Sequence, residues 1–239
     1  MSDYYKYPLW QSEESTNSSI YELEEELLSC RQCLLREDCI APTSFNGSVT
    51  SPLMLIAEGP GGVEDEYGVP LVGKSGQLLD KALWSAKITR DRIYTSNVVK
   101  CRPLKNRTPT LDEGLFCGSK WLAKEIEIIR PKVILCLGSV SLKFFGDKDL
   151  KITQERGKWL TNRFGVNIIA TFHPAYLIRL GGEQLKKAKW DMYYDILAAK
   201  NKVLEYYPDY QFASDEIAPL LKIYGARKEY RTKTFLAKE

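Results

Sequence analysis

The sequence predicts an α/β domain built on a mainly parallel four-stranded sheet flanked by helices on both faces. Two observations carry this. Four segments, Leu53–Ala57, Arg92–Val98, Lys132–Leu137 and Val166–Phe172, are strand candidates. Stretches with helical apolar spacing separate them, and such alternation favours parallel pairing under crossover helices. A chain of 239 residues, 44% apolar, suits one domain with appendages.

Residues 1–19 are polar, with Glu13, Glu14 and a Ser/Thr/Asn run, and read as a loose lead-in. The domain itself spans 20–207. Ile20–Leu28 is an acidic amphipathic helix that delivers Cys30. After the first strand, Ser75–Ala86 places Leu78, Leu79, Ala82 and Leu83 on one helical face. Asp112–Ile129 does the same with Leu115, Leu122, Ile126 and Ile129, and Pro131 stops it. An amphipathic helix over Gly182–Tyr206 closes the core. Residues 208–239 form a basic extension containing Arg227-Lys228-Glu229-Tyr230-Arg231, read as solvated.

No segment is long and apolar enough to span a bilayer. The N-terminus lacks a basic region followed by an apolar one, so a cytoplasmic protein is expected. A net charge of +3 does not by itself announce nucleic-acid binding. Six cysteines in a reducing compartment point to metal ligation or reactive thiols rather than disulfides.

The chemistry-bearing residues gather at strand exits. Glu58-Gly59-Pro60-Gly61-Gly62 leaves the first strand, Asn97 ends the second, Gly138-Ser139 leaves the third, and Phe172-His173-Pro174 leaves the fourth. In open α/β sheets ligand crevices form along that carboxyl edge. His173 is the only histidine in the chain. A competing signal lies nearby, because Gly68–Ser75 satisfies G-x-x-x-x-G-K-[ST], a phosphate-binding loop. Context argues against it: Gly68 lies ten positions beyond Glu58, and Pro70 removes an N–H that a phosphate cradle would use.

Cys30 and Cys33 form a C-x-x-C pair, and Cys101 and Cys117 form a second pair with fifteen residues between them. Four thiolates from two segments can close a zinc site or hold an iron–sulfur cluster, and spacing does not separate the two. Cys39 is an alternative to Cys117 in a C-x2-C-x5-C arrangement, and Cys136 lies within an apolar strand.

Taken together, the chain resembles a family 4 uracil-DNA glycosylase, the iron–sulfur branch of the uracil-DNA glycosylase superfamily. The resemblance covers about Cys30 to Tyr206. It is carried by Glu58-Gly59-Pro60-Gly61 with Glu64-Asp65 and the Gly68–Leu79 segment, by Asn97–Pro103 with Asn106-Arg107 and Pro109, by His173–Arg179, and by the four cysteines.

It implies hydrolysis of the N-glycosidic bond of uracil in single- or double-stranded DNA, by a monomer without a nucleotide cofactor. It implies that Cys30, Cys33, Cys101 and Cys117 hold a [4Fe-4S] cluster, zinc being the alternative, and it leaves Cys39 outside. Glu58 and His173 become the catalytic pair. His173 would stabilise the charge developing on uracil O2, and Glu58 the sugar cation or the attacking water. Gly59, Glu64, Leu71 and Asn97 become the uracil pocket. Asn97 would read the O4 and N3–H edge, and Glu64 would exclude the thymine methyl. Lys100, Pro174, Ala175, Tyr176, Leu177 and Arg179 become DNA contacts, with Tyr176 or Leu177 as the wedge; Lys100 and Arg179 are equally readable as solvated surface charge.

Two departures stand out. Gly59 occupies the place where better-known superfamily members carry a water-activating aspartate. Leu71 replaces the phenylalanine that stacks on uracil, and Tyr67 is the aromatic near enough in sequence to substitute. Rival readings are a superfamily member that binds uracil-containing or single-stranded DNA without excision, and an iron–sulfur redox sensor.

Overall fold

The computed structural model describes residues 14–160, 164–214 and Lys228, with side chains described from Ser19 onward. Strands β1 (Asn46–Gly47), β2 (Leu53–Ala57), β3 (Tyr94–Asn97), β4 (Val133–Leu137), β5 (Trp159–Leu160) and β6 (Asn167–Thr171) form one sheet in the order β1-β3-β2-β4-β6-β5. The four expected strands are its parallel centre, in the order β3-β2-β4-β6. The expectation of four strands is corrected to six, because β1 and β5 pair antiparallel at the two edges. Each edge strand has two residues, too few for an alternating pattern to show.

Helix α1 (Glu14–Leu28) precedes the sheet. The lead-in therefore becomes helical six residues earlier than expected, at Glu14 rather than Ile20. Once Ile20, Leu23 and Leu27 pack on the sheet, extending a nucleated helix costs little. Between β2 and β3 lie α2 (Gly62–Tyr67) and α3 (Lys74–Ser85). Between β3 and β4, α4 (Leu111–Cys117) runs through a π turn at Gly118–Leu122 into α5 (Ala123–Ile129). Thr110 and Glu113 form a reciprocal capping box at the start of α4. Helices α6 (Ser139–Phe145), α7 (Ile152–Glu155), α8 (Pro174–Ile178) and α9 (Gly182–Tyr206) complete the order.

The pleat divides the core in two. Met54 and Ile56 of β2 point to a layer filled by α1, α4, α5 and α6. Leu53, Leu55 and Ala57 point to the opposite layer, filled by α3, α8 and α9. With both faces covered, every β2 residue is buried, which is why the strand reads as an unbroken apolar run. Past α9, Phe212 is buried and its carbonyl accepts from Thr89 N–H at 2.8 Å. Beyond Ser214 the basic extension lies outside the described residues except for Lys228, whose Nζ pairs with Glu66 at 2.7 Å. Among the described residues no helix is long and apolar enough to cross a membrane.

Candidate active site

The parallel strands end together, so Glu58, Asn97, Gly138 and His173 meet at one edge of the sheet. A cavity of about 280 Å³ opens there, walled by Glu58, Gly59, Leu71, Thr108, His173 and Tyr176 among others. That volume lies just under the roughly 300–1,000 Å³ of sites for drug-sized ligands, and suits one small ring.

His173 caps α8 with its ring: Nδ1 accepts from Ala175 N–H at 3.1 Å. Burial, aided by the nearby Arg179 guanidinium, pushes its pKa down from about 6.5 to about 4. The imidazole is therefore neutral at pH 7. With Nδ1 engaged as an acceptor, the proton resides on Nε2. The ring fits because Gly138, at φ +91°, has no Cβ; one there would lie 2.8 Å from His173 Cβ.

Glu58 faces this ring's side of the cavity. Burial raises its pKa, opposed by Arg179 and by a hydrogen bond from Thr108. Gly59 follows, and a Cβ on it would meet Val99 Cγ2 at 2.5 Å. A side chain at this position would therefore have to displace Val99, which disfavours an aspartate there.

Asn97 pairs with Ala57, directly before Glu58, through the β2–β3 register. Its amide oxygen and nitrogen are both buried without a hydrogen-bond partner. An unmet buried donor or acceptor costs about 1–3 kcal/mol. Asn97 is thus a buried donor–acceptor pair next to the strand end that carries Glu58, and not among the residues that line the cavity.

Glu64 lines the cavity but is already engaged: its Oε1 accepts from Val72 N–H at 3.1 Å and Gly73 N–H at 2.8 Å. These are the amides a phosphate-binding loop would offer, and a carboxylate fills them. Val69 and Val72 are fully buried in the same loop, with Tyr67 packed against them. The loop is a wall, and Tyr67 does not replace an aromatic at Leu71. The aromatic ring on the cavity wall is that of Tyr176.

The profile of the "Uracil DNA glycosylase superfamily" matches residues 45–197, more than half of the chain. The chain belongs to the uracil-DNA glycosylase superfamily. It is 40% identical over 166 residues to a type-4 uracil-DNA glycosylase of Thermotoga maritima, covering 69% of this chain and 86% of that protein. Type-4 enzymes of Archaeoglobus fulgidus (37% over 167 residues, 67% and 83% covered) and Sulfurisphaera tokodaii (36% over 165 residues, 66% and 74% covered) are similar to it as well.

Three residues expected at the DNA face of this superfamily member, Lys100, Pro174 and Leu177, are buried instead. Lys100 is 1% exposed, and its Nζ binds Glu125 Oε1 and Ser96 Oγ, each at 2.6 Å. Its ammonium is an internal strut, not a phosphate contact. Leu177 is 1% exposed in the α3–α9 core layer, so it is no wedge in this arrangement. Tyr176 is exposed, packed on Phe172 at 5.1 Å between ring centroids. Pro174 is buried at the first turn of α8, while Ala175 and Arg179 reach the cavity rim.

The glycosylase cavity also has walls that sequence reasoning did not assign: Ser75, Pro103, Asn106, Arg107, Thr108 and Pro109. Arg107 is fixed by Glu113, which it meets at 2.6 and 2.8 Å and whose carboxyl it holds below the usual range. The signal was the Arg/Thr/Pro-rich run between Cys101 and the α4 cap, read there as motif rather than as pocket.

The cysteines converge on one region. Cys101 and Cys117 are buried, with Cys30 and Cys33 packed against the same core layer. Lys100 N–H donates to Cys117 Sγ at 3.3 Å, a bond that favours thiolate. Burial pushes the Cys33 thiol up and Cys117 to about 11. Cys101 is raised first by its hydrogen bond with Cys39, so Cys39 touches the group without belonging to either pair. Among the described residues no three Cys, His, Asp or Glu side chains draw together as ligands of one ion. Cys136 is buried in β4, its thiol pushed up to about 12.

Proposed function

We propose that this chain excises uracil from DNA, hydrolysing the N-glycosidic bond and leaving an abasic site. The observation that carries the reading is the neutral His173, its Nε2–H free at the wall of a one-ring cavity that also holds Glu58. Bond cleavage builds negative charge on the departing uracil and positive charge on the sugar. A flipped base enters the cavity. His173 Nε2–H donates to O2 as charge develops there, and Glu58 faces the sugar cation. Asn97 supplies one donor and one acceptor, matching uracil O4 and N3–H and opposing the reversed edge of cytosine. Tyr176 and Ala175 stand at the rim against the strand, and Arg179 offers a cation to phosphate.

Cys30, Cys33, Cys101 and Cys117 fit a [4Fe-4S] cluster. The donor set is all sulfur, with Cys33 and Cys117 near Cys30 and with Cys101 near Cys33 and Cys117; such soft ligation suits an iron–sulfur cluster, zinc being the alternative. Cys30 and Cys33 after α1, Cys101 after β3 and Cys117 at the end of α4 would hold such a cluster, which would supply a cross-link between these segments. Lys100 N–H steadies one of its ligands.

The test is excision from a labelled oligonucleotide with a single uracil, single-stranded or opposite guanine. Alkali-labile cleavage is expected from the wild type and a fall of about 10²–10³-fold from His173→Ala, the usual loss for one oxyanion donor. Equal rates in the two proteins would remove His173 from the mechanism.

A further inference from the structure

Leu71 is a bulky residue in a conformation that disfavours bulk. Its φ is +58°, in the left-handed region, yet the residue is 4% exposed, packs on the core layer of α3, α8 and α9, and lines the cavity. The surroundings over-determine it. Arg90 Nη2 donates to Leu71 O at 2.9 Å and lies 3.5 Å from Gly76 O. Arg90 Nε is bound to Asp80 Oδ1 at 2.6 Å, and the guanidinium is 8% exposed. The Leu71 carbonyl also lies against the bare Cα of Gly76, where a Cβ would come within 1.7 Å of it. From the far side, Glu64 holds the next two amides.

We propose that Arg90 and Asp80 are positioning residues for the base pocket: the pair holds Leu71 in its left-handed turn and so presents the leucine side chain to the bound ring. This rests on the uracil-excision reading. The geometry separates it from general packing. A buried guanidinium needs acceptors, and this one spends its Nη2 on Leu71, which with Asn106 is one of two non-glycine wall residues held at positive φ. Asp80 comes from α3 and Arg90 from the turn before β3, so the pair braces the loop from outside the cavity.

The test is a double-mutant cycle. Arg90→Gln and Asp80→Asn are each made in wild type and in Leu71→Ala, with thermal melting as the control for folding. KM and kcat on a uracil oligonucleotide, and inhibition by free uracil, are the readouts. Each variant is expected to raise KM and the uracil inhibition constant by about tenfold in wild type, the scale of coupling between contacting groups. In Leu71→Ala the same substitutions should change them less than twofold. Equal losses in both backgrounds would show a merely structural pair and overturn the proposal. Should Arg90→Gln fail to fold, Asp80→Asn, which frees the guanidinium without deleting it, gives the same comparison. A wild type that neither excises uracil nor is inhibited by it would sink the underlying reading instead, and this proposal with it.

Discussion

Ala175 N–H donates to His173 Nδ1 at 3.1 Å, and this one bond decides which ring nitrogen faces a substrate as a donor. It is made possible by α8 starting at Pro174, which needs no N–H partner of its own and leaves Ala175 as the first free amide of the turn. The neutral Nε2–H tautomer is thus built into the start of a helix.

The pH dependence follows with a definite sign. His173, at about 4, stays neutral and competent throughout the neutral range. Glu58 is raised above its usual 4.5 by burial, so on acidification it takes up its proton first. Excision should be flat near neutrality and fall on the acid side through the Glu58 ionisation. In Glu58→Gln that limb should vanish, and residual activity should hold until about pH 4. A rate that rises as pH falls through 6.5 would mean that imidazolium is the active form.

Lys100 separates burial from DNA contact. Removing one partner of a buried ion pair costs about 3–5 kcal/mol. Lys100→Ala should therefore lower stability strongly, by chemical denaturation, while the salt dependence of DNA binding by the folded fraction is unchanged. A shallower salt slope with unaltered stability would return Lys100 to the phosphate backbone.

Gly59 tests the missing aspartate. Gly59→Asp drives a Cβ into Val99 Cγ2, so activity should fall and stability drop by about 1–3 kcal/mol despite the added carboxylate. Val99→Ala in the same chain should recover most of the stability. Failure of that second change to help, in a melting experiment, would place the conflict elsewhere.

The proposed cluster divides the cysteines into ligands and bystanders. Iron and acid-labile sulfide measured per chain should drop sharply in Cys30→Ser, Cys33→Ser, Cys101→Ser and Cys117→Ser, with a loss of melting temperature. Cys136→Ala should keep both. Stoichiometric zinc without sulfide in the wild type would replace the cluster by a single ion.

The strand exits made much of this site legible. A buried strand such as β2 or β6 reads as a largely apolar run, so its exit, and with it Glu58 and His173, is marked within a position or two; Asn97 ends the more polar Tyr94–Asn97 strand. The long helices were legible through their spacing, and Gly182–Tyr206 coincides with α9. The two-residue strands β1 and β5 and the short helices α2, α6, α7 and α8 left no period to read and were missed. Lys100 and Leu177 were misplaced for a different reason. A lysine signals charge but not burial, and its partner Glu125 lies 25 residues away. Leu177 sits in a five-residue helix, where nothing in the sequence says which side meets the core.

The most direct test is release of the free base. Cluster-loaded wild type, Asn97→Ala and His173→Ala are each mixed in excess with a uracil oligonucleotide, and uracil and abasic sites are counted by mass spectrometry in a single turnover. The account predicts one uracil and one abasic site per strand from wild type, with both slowed at least about a hundredfold in either variant. Wild type that binds the strand yet leaves the uracil attached would contradict it, and would make the cavity a binding site rather than a catalytic one.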